Sequence, residues 1–256
     1  MNLKLKKHEK ILKEKVFFTK DRWPHFNLLF DDIKKLSKKK NIKTVVSIER
    51  GNLYGSISLL APFFHKKKFT SIDCSSSKIL AKGAYNKKFV ESKKIIKTKT
   101  TYFRDYKNLK IKKNSCDLII IPNLMHHIFD HELLIKNCKK ILKKNGLIYI
   151  FEPLLRELHQ APDDYFRFTP FGFKEIFLQT GFKNIKYKLS GGPFTAALYC
   201  LHQASEYLPK KERKLFEKKF LKQQFIKMIN LEKKYKKNLV RNSTLFPVSF
   251  SIIGKV

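Results

Sequence analysis

The stretch DLIIIPNLMHHI at residues 117–128 decides the fold, because it places a continuous apolar run directly before a polar turn. Such a run is typical of a parallel strand that is buried on both faces of its sheet. Asp130 then stands where it can cap a helix, whose apolar residues recur at helical spacing until Gly146. A second apolar run at residues 147–151 completes a strand–helix–strand unit.

The same alternation of strands and helices continues on both sides of this unit. Further strands are predicted at residues 43–48, 69–72, 185–189 and 248–253, with helical patterns between them. This order predicts an α/β protein with a doubly wound, mostly parallel sheet covered by helices on both faces. Ligands of such sheets bind at the carboxyl ends of the strands, so the residues that follow each strand are the site candidates.

A glycine loop and an acidic residue follow the first two predicted strands. Glu49 precedes Gly51 and Gly55, and Asp73 ends the next strand, 24 residues after Glu49. An acid after the second strand of a glycine-loop unit is the usual partner of ribose hydroxyls. The pattern therefore predicts a nucleoside-bearing ligand, although an ordinary turn would also explain the glycines and a helix cap would explain Asp73.

The strongly basic composition is interpreted as a bias of the whole sequence. There are 56 Lys and Arg residues against 21 Asp and Glu, which gives a formal net charge of +35. Of the basic residues 49 are Lys and 7 are Arg, whereas nucleic-acid recognition favours the bidentate fork of Arg. Because the Lys residues are spread along the chain, we expect them on solvated faces. A polyanion-binding surface stays as the alternative.

Cysteine usage and hydropathy indicate the compartment. Cys74, Cys116, Cys138 and Cys200 are scattered and form no CxxC pair, which excludes a disulfide scaffold and favours free thiols. No apolar run approaches the ~20 residues that a membrane helix needs. The charged N-terminal stretch lacks the apolar segment of a secretory signal. We therefore expect a cytoplasmic protein with no membrane span.

From about Val45 to Phe182 the sequence resembles the class I S-adenosylmethionine-dependent methyltransferases of the type-11-like group. The resemblance is carried by residues 117–128, by KKILKKNGLIYI at 139–150 and by DYFRFTP at 164–170. It implies a Rossmann-like sheet whose last strand is antiparallel. It also implies four segments, namely an N-terminal helical cap at 1–40, a core that binds S-adenosylmethionine (SAM) at 41–190, a helical insertion or cap at 191–245 and a final strand at 246–256.

The resemblance also assigns the cofactor-binding residues. The first motif of the family is an acid followed by three alternating glycines. Glu49, Gly51 and Gly55 match it, and Leu53 replaces the middle glycine. Since glycine lets the backbone approach a ligand closely, Leu53 is a departure that bears on cofactor affinity. The other implied cofactor contacts are Asp73 for the ribose hydroxyls, Asp105 for the adenine amino group and Asn123 for the methyl-donor pocket.

Two histidines and two loop residues are the candidates for chemistry on the methyl acceptor. His126 and His127 follow the fourth strand of the family, where an imidazole can serve as general base, although either could simply pack or cap a turn. Tyr165 and Arg167 are candidates for acceptor binding, and a structural ion pair is the alternative for Arg167. We expect no metal, because the pair His127 and His131 lacks a second cluster of ligands.

Together these features predict an enzyme that moves a methyl group from SAM to an O or N nucleophile of a small-molecule, sugar or lipid-type acceptor. A non-catalytic binding or regulatory protein with this fold, and an RNA methyltransferase that uses the Lys excess, are the alternatives. We expect no specific nucleic-acid partner, since no recognisable nucleic-acid module is present. The sequence is compatible with a homo-oligomer.

Overall fold

The computed structural model of the chain describes residues 26–50, 60–74, 98–100, 106–158, 161–241 and 246–256. Its strands are β1 Thr44–Glu49, β2 Lys68–Asp73, β3 Thr98–Thr100, β4 Cys116–Pro122, β5 Leu142–Pro153, β6 Lys183–Ser190 and β7 Ser249–Lys255. Its α-helices are α1 Phe26–Ser37, α2 His131–Ile141, α3 Pro170–Gln179, α4 Pro193–Ser205, α5 Lys210–Phe216 and α6 Lys222–Arg241. Short 3₁₀ turns lie at Ala61–Phe64 and Met125–His127, and a π-helical turn lies at Glu217–Leu221.

The strands form one sheet in the order β3-β2-β1-β4-β5-β7-β6. The pairs β1–β2, β1–β4, β2–β3 and β4–β5 are parallel. β7 runs against β5, since the Leu154 N–H donates to Val248 O at one end and the Val256 N–H to Gly146 O at the other. The predicted doubly wound sheet with an antiparallel last strand is therefore confirmed. The short strand β3 was not predicted, because residues 98–100 contain no apolar run.

Apolar periodicity explains which residues fill the core. The apolar run in β4 is fully buried, and so are Ile148, Ile150 and Phe151 of β5, as expected for strands covered on both faces. Leu147 of β5 is half-buried. Helix α1 buries one apolar stripe, as its spacing predicts, and the buried members of that stripe are Phe26, Leu29, Phe30, Ile33 and Leu36.

A buried acid ties α1 to three strands. The Asp32 carboxylate accepts hydrogen bonds from the Ser251 hydroxyl of β7 at 2.8 Å and from the Tyr149 hydroxyl of β5 at 3.3 Å. It also forms an ion pair with the Lys188 ammonium of β6. Burial, and then the Asp32 charge, raise the pKa of Tyr149 well above its usual value, so this hydroxyl stays protonated as a donor.

The predicted end of helix α2 at Gly146 is wrong. The helix ends at Ile141, and Gly146 lies within β5, where the pairing with β4 shifts register between Cys116 and Leu118. A Cβ atom at Gly146 would come within 2.8 Å of the Lys143 carbonyl oxygen. The glycine therefore serves a bulge at the start of the strand and does not cap the helix.

Other start and stop signals are confirmed. The Asp130 carboxylate accepts a hydrogen bond from the Leu133 N–H and caps α2. The Thr169 hydroxyl caps α3 by accepting from the Gly172 N–H, with Pro170 in the first turn of the helix. Gly181, with φ of 77°, ends that helix in the left-handed conformation.

The chain divides into two compact units. One comprises Leu29–Glu152, Leu158–Lys188 and Ser251–Val256, and the other comprises Met1–Leu28, Pro153–Glu157 and Leu189–Phe250. The second unit contains α4, α5 and α6, in keeping with the helical pattern of residues 194–240. The four predicted segments, including the two cap assignments, stay predictions. No described helix has both the length and the hydropathy needed to cross a membrane.

Within the second unit, a side chain of α6 caps the start of α4. The Glu232 carboxylate accepts from the Thr195 N–H and from the Thr195 hydroxyl, each at 2.8 Å. The helix dipole also stabilises a negative charge at the N-terminal end of α4. Gly192 leaves room for this contact, since a Cβ atom there would lie 2.8 Å from the Glu232 carboxyl group.

We expect one cysteine to react quickly with a thiol reagent at about pH 8. Cys74, Cys116 and Cys138 are buried and Cys200 is exposed. Burial raises the pKa of Cys116 to about 12 and that of Cys138 well above its usual value, so neither forms a thiolate in the folded chain. Absorbance after addition of Ellman's reagent should show one fast thiol, the others reacting only in denaturant. Cys200→Ser should abolish the fast phase; fast reaction of three thiols would contradict the buried placement.

Candidate active site

The strand register brings the predicted polar residues to one edge of the sheet. Glu49 and Asp73 are direct neighbours at the ends of β1 and β2. The Asn123 N–H, just after β4, donates to Phe151 O of β5 at 2.6 Å, so Asn123 lies beside the end of that strand, where Glu152 stands. With the strand order β2-β1-β4-β5, these residues line the carboxyl edge, which is where ligands bind in such sheets.

The backbone turns sharply at Asn123. Its φ of 54° lies in the left-handed region, which Asn tolerates better than most residues with a side chain. The turn ends β4 and redirects the chain into the 3₁₀ turn at Met125–His127. Both predicted catalytic histidines therefore stand immediately beyond the edge of the sheet.

Glu49 is a buried acid at the end of β1. Its side chain is wholly inaccessible to solvent, and the Ser47 hydroxyl donates a hydrogen bond to Oε1. Burying a carboxylate is costly unless hydrogen bonds compensate for the lost water. Glu49 is nevertheless buried at the end of the strand, which is the position expected of a cofactor-binding acid.

Several predicted cofactor residues fall beyond what the structure describes. Gly51, Leu53 and Gly55 lie outside the described residues, and so does Asp105. For Asp73 the structure describes the backbone, which ends β2 as predicted. The assignment of these residues to the cofactor stays a prediction.

Glu152 organises the segment that carries the histidines. Its Oε1 accepts from the N–H groups of Leu124 at 2.8 Å and Met125 at 2.7 Å. Its Oε2 accepts from the His126 N–H at 3.3 Å and lies 2.5 Å from His126 Nδ1. The carboxylate is fully buried, so these four donors replace its water shell. The sequence placed Glu152 at a strand end but indicated no role for it.

The two histidine rings are buried and held in defined orientations. His126 is 0% exposed and His127 is 1% exposed, and their ring centroids are 3.9 Å apart. His127 Nδ1 contacts the carbonyl oxygen of Asp163. A carbonyl oxygen can only accept, so Nδ1 of His127 carries the proton and the lone pair resides on Nε2. Likewise, His126 donates Nδ1–H to the Glu152 carboxylate.

A second segment, residues 163–167, packs against the histidines. The N–H groups of Tyr165 and Phe166 donate to His126 O at 2.9 and 3.3 Å. The Arg50 guanidinium donates to the backbone carbonyl and to the carboxylate of Asp163, both at 3.3 Å. Burial lowers the pKa of Arg50, and the Asp163 charge opposes that shift. Arg50 thus connects the end of β1 to the segment that holds His127.

Arg167 is engaged in an ion pair. Its two terminal nitrogens donate to the two carboxylate oxygens of Asp164, at 2.6 and 2.8 Å, and it also bonds Phe166 O at 2.8 Å. The bidentate arrangement is a strong and specific one. This is the structural ion pair considered as the alternative for Arg167, and its role in acceptor binding stays a prediction.

Tyr165 belongs to an aromatic surface next to the histidines. Its ring is 42% exposed and meets the 68% exposed Phe129 edge-on, with ring centroids 5.5 Å apart. The Tyr165 hydroxyl donates to the Asp163 carboxylate at 3.1 Å. His131 packs edge-on against Phe166. Phe129 is not predicted as a site residue from the sequence, because a single exposed aromatic residue belongs to no periodic pattern.

Comparison with known proteins shows a relationship to methyltransferases. Residues 51–150 match the family model described as a methyltransferase domain. The matched stretch covers 100 of the 256 residues. It contains both histidines and every predicted cofactor residue except Glu49, which precedes it, and the resemblance noted in the sequence is confirmed.

Several solved structures share the fold of this chain. A SAM-dependent methyltransferase from Archaeoglobus fulgidus is 16% identical with a TM-score of 0.53, covering 90% of this chain and 94% of that one. Phosphoethanolamine N-methyltransferase 2 from Haemonchus contortus, in complex with SAM, is 15% identical with a TM-score of 0.56, covering 97% of this chain and 59% of that one. The cyclase SpnF is 13% identical with a TM-score of 0.53, covering 90% and 80%. No curated protein sequence matches the chain significantly.

A cleft of about 640 Å³ lies apart from the predicted site residues. It contains none of the predicted site residues, and many of its lining side chains are lysines, as the composition makes common. Its lining residues are Asn114, Leu133, Lys136, Lys139, Lys140, Leu142, Lys144 and Val256.

Proposed function

We propose that the chain is a SAM-dependent methyltransferase that acts on an O or N nucleophile of a small-molecule, sugar or lipid-type acceptor. The observation that carries the proposal is the pairing of Glu49 with Asp73 at the carboxyl edge of a methyltransferase-domain sheet. Two neighbouring strand-end acids suit a ligand that presents hydroxyl donors, as a ribose does.

The cofactor would be held by residues at three strand ends together with Gly51, Gly55 and Asp105. Asp73 would accept hydrogen bonds from the ribose hydroxyls, and Asp105 would accept one from the adenine amino group. Asn123 would line the methyl-donor pocket, while Gly51 and Gly55 would let the backbone approach. Glu49 would complete the set from the end of β1, where it is buried. When bound, SAM supplies a methyl group already activated by a sulfonium.

The chain's own contribution to the reaction would be orientation and proton transfer. Holding the nucleophile in line with the methyl group can contribute ~7–11 kcal/mol. His127 is the candidate base, because the Asp163 carbonyl holds its Nδ1 proton and leaves Nε2 to accept one. His126 would act as a positioning residue, since its Nδ1 is bound to Glu152. Their burial would keep competing water away from the base.

The acceptor would contact the aromatic surface beside the histidines. Tyr165 and Phe129 are exposed aromatic residues there, and such rings suit apolar groups or the methylated cation of an amine. Arg167 would take part through its ion pair with Asp164, by fixing the segment that carries Tyr165. The related Haemonchus contortus enzyme is named for N-methylation, which supports a nitrogen nucleophile.

Binding of SAM to the purified full-length chain tests the proposal. Isothermal titration calorimetry with SAM and with its demethylated product should show saturable binding of both. Transfer of a radiolabelled methyl group to a panel of amines, sugars and lipid precursors would then identify the acceptor. Absence of binding to either nucleoside would reject the proposal. Binding without transfer would favour a non-catalytic protein or another chemistry, as the fold shared with the cyclase SpnF allows.

We also propose that the Lys excess does not mark an RNA methyltransferase. Any RNA binding should be weak and non-specific, and it should vanish near ~0.15 M salt, because released counterions drive such binding. Fluorescence anisotropy with labelled RNA at increasing salt would measure this. Tight binding of one defined RNA at ~0.15 M salt would contradict the expectation and favour the RNA methyltransferase.

A reducing, cytoplasmic location fits the free thiols.

A further inference from the structure

Three ligand-type side chains converge beside the proposed acceptor surface. His126, His127 and Asp164 each offer one ligand atom, and these atoms all lie within 4.8 Å of one another. Both histidines are fully buried, and the Asp164 side chain is 4% exposed. We propose that this triad binds a divalent transition-metal ion.

The hydrogen bonds of the two imidazoles favour metal binding. A metal-ligating histidine usually donates its other ring N–H to a carboxylate or to a backbone carbonyl, which fixes the tautomer and raises the basicity of the ligand nitrogen. His126 Nδ1 bonds the Glu152 carboxylate, and His127 Nδ1 bonds the Asp163 carbonyl. Both kinds of outer partner are therefore in place, and Nε2 of each ring is the nitrogen that a metal would bind.

The local charges are compatible with a bound cation. The Asp163 and Asp164 carboxylates pair with the guanidinium groups of Arg50 and Arg167, whereas the Glu152 carboxylate bonds the His126 imidazole. The three carboxylates and two guanidinium groups carry a formal charge of −1 together. A divalent ion would change this local sum from −1 to +1, a modest charge for a buried site. Asp164 can bind Arg167 and the ion together, because each carboxylate oxygen has two lone pairs.

The ligand types select the class of metal. Two imidazoles and one carboxylate suit Zn²⁺, Co²⁺ or Fe²⁺, whereas Mg²⁺ and Ca²⁺ prefer sites built from oxygen. Three protein ligands leave a coordination position open, which is the pattern of reactive rather than purely structural zinc sites. An acceptor hydroxyl could occupy that position.

The sequence pointed away from a metal because it suggested the wrong partners. In the sequence, His127 and His131 have the spacing of metal ligands, but two histidines are too few to form a metal site. In the structure the third ligand is Asp164, brought to the histidines by the Tyr165 and Phe166 N–H bonds to His126 O. This contact between distant parts of the chain has no signature in local spacing.

The inference does not depend on methyl transfer. Metal binding is measured without SAM, so its failure and the failure of the proposed function are separate results. If the ion binds, it takes the Nε2 lone pair of His127, and the activation of an acceptor would pass from the imidazole to the metal. If no ion binds, His127 keeps its role as candidate base.

Titration of the purified full-length chain with Co²⁺ and Zn²⁺ tests the site. A Cys200→Ser background removes the exposed thiol. We expect about one equivalent of Co²⁺ to bind with visible ligand-field absorption, to be displaced by Zn²⁺ and not by Mg²⁺. His127→Ala and Asp164→Asn should each weaken Co²⁺ binding by about tenfold or more. His65→Ala, which removes a described surface histidine outside the triad, should leave binding unchanged.

A further variant separates metal binding from a purely structural role of Asp164. Arg167→Ala breaks the same ion pair but retains the Asp164 carboxylate. Urea unfolding should therefore show similar destabilisation for Arg167→Ala and Asp164→Asn. Of these two variants, only Asp164→Asn should lose Co²⁺ affinity. The proposal is overturned if stoichiometric Co²⁺ and Zn²⁺ binding is absent, or if the triad variants bind as tightly as the parent.

Discussion

Replacing Glu152 by Ala is expected to lower the free energy of unfolding by about 3–5 kcal/mol. The variant removes the acceptor of three backbone N–H groups and of the His126 ring, all of them buried. A buried donor left without its partner costs ~1–3 kcal/mol, and water that enters the new cavity offsets part of the total. Urea denaturation followed by circular dichroism measures the effect.

Two matched variants show that the loss arises from this network. Glu132→Ala removes a glutamate whose side chain is 47% exposed in an i,i+4 pair, so its effect should be well under 1 kcal/mol. Glu152→Gln keeps one acceptor oxygen and should destabilise less than Glu152→Ala. If Glu152→Ala and Glu132→Ala unfold at the same urea concentration, the carboxylate does not organise the segment after β4.

Replacing Asp73 by Ala should weaken SAM binding by roughly 5–150-fold, which corresponds to about 1–3 kcal/mol. The reason is that ribose hydroxyls desolvated on binding would lose their charged acceptor. Calorimetric titration of SAM into both proteins provides the measurement. The position of Asp73 beside Glu49 at the carboxyl edge supports this variant as the most direct test of the cofactor site.

Asp31→Ala provides the control, because it makes the same change of charge on an exposed position of α1. Its affinity for SAM should equal that of the parent chain. Equal affinities in Asp73→Ala and the parent would remove the ribose assignment of Asp73. Glu49 would then be the remaining strand-end candidate for binding the nucleoside.

The sequence predicted the sheet because the decisive signals were local. An apolar run such as residues 117–121 identifies a strand whatever surrounds it, and a capping residue such as Asp130 acts on its own helix. The strand ends then placed Glu49, Asp73 and Asn123 at one edge, since all parallel strands present their carboxyl ends together. These parts of the site follow directly from the order of the elements.

What the sequence missed depends on contacts between distant segments. Glu152 gains its importance from N–H groups that precede it by a whole helix and strand, and Asp164 reaches the histidines through the backbone of the following residues. The prediction for Gly146 is wrong because a glycine after a helical pattern normally marks the end of the helix. In the structure, Gly146 accommodates a bulge in β5. Contacts between distant segments and the register of a strand pair produce no periodic pattern in the sequence, so they could not be predicted from it.

The strand order β5-β7-β6 has a consequence for the nascent chain. β6 is synthesised before β7, yet it joins the sheet only through β7, which lies between β6 and β5. Until Ser249–Lys255 has left the ribosome, the edges of β5 and β6 that pair with β7 lack their partner. Unpaired strand edges are templates for wrong association. During translation, this half of the sheet therefore presents unpaired strand edges for longer than the half formed by β1, β2 and β4.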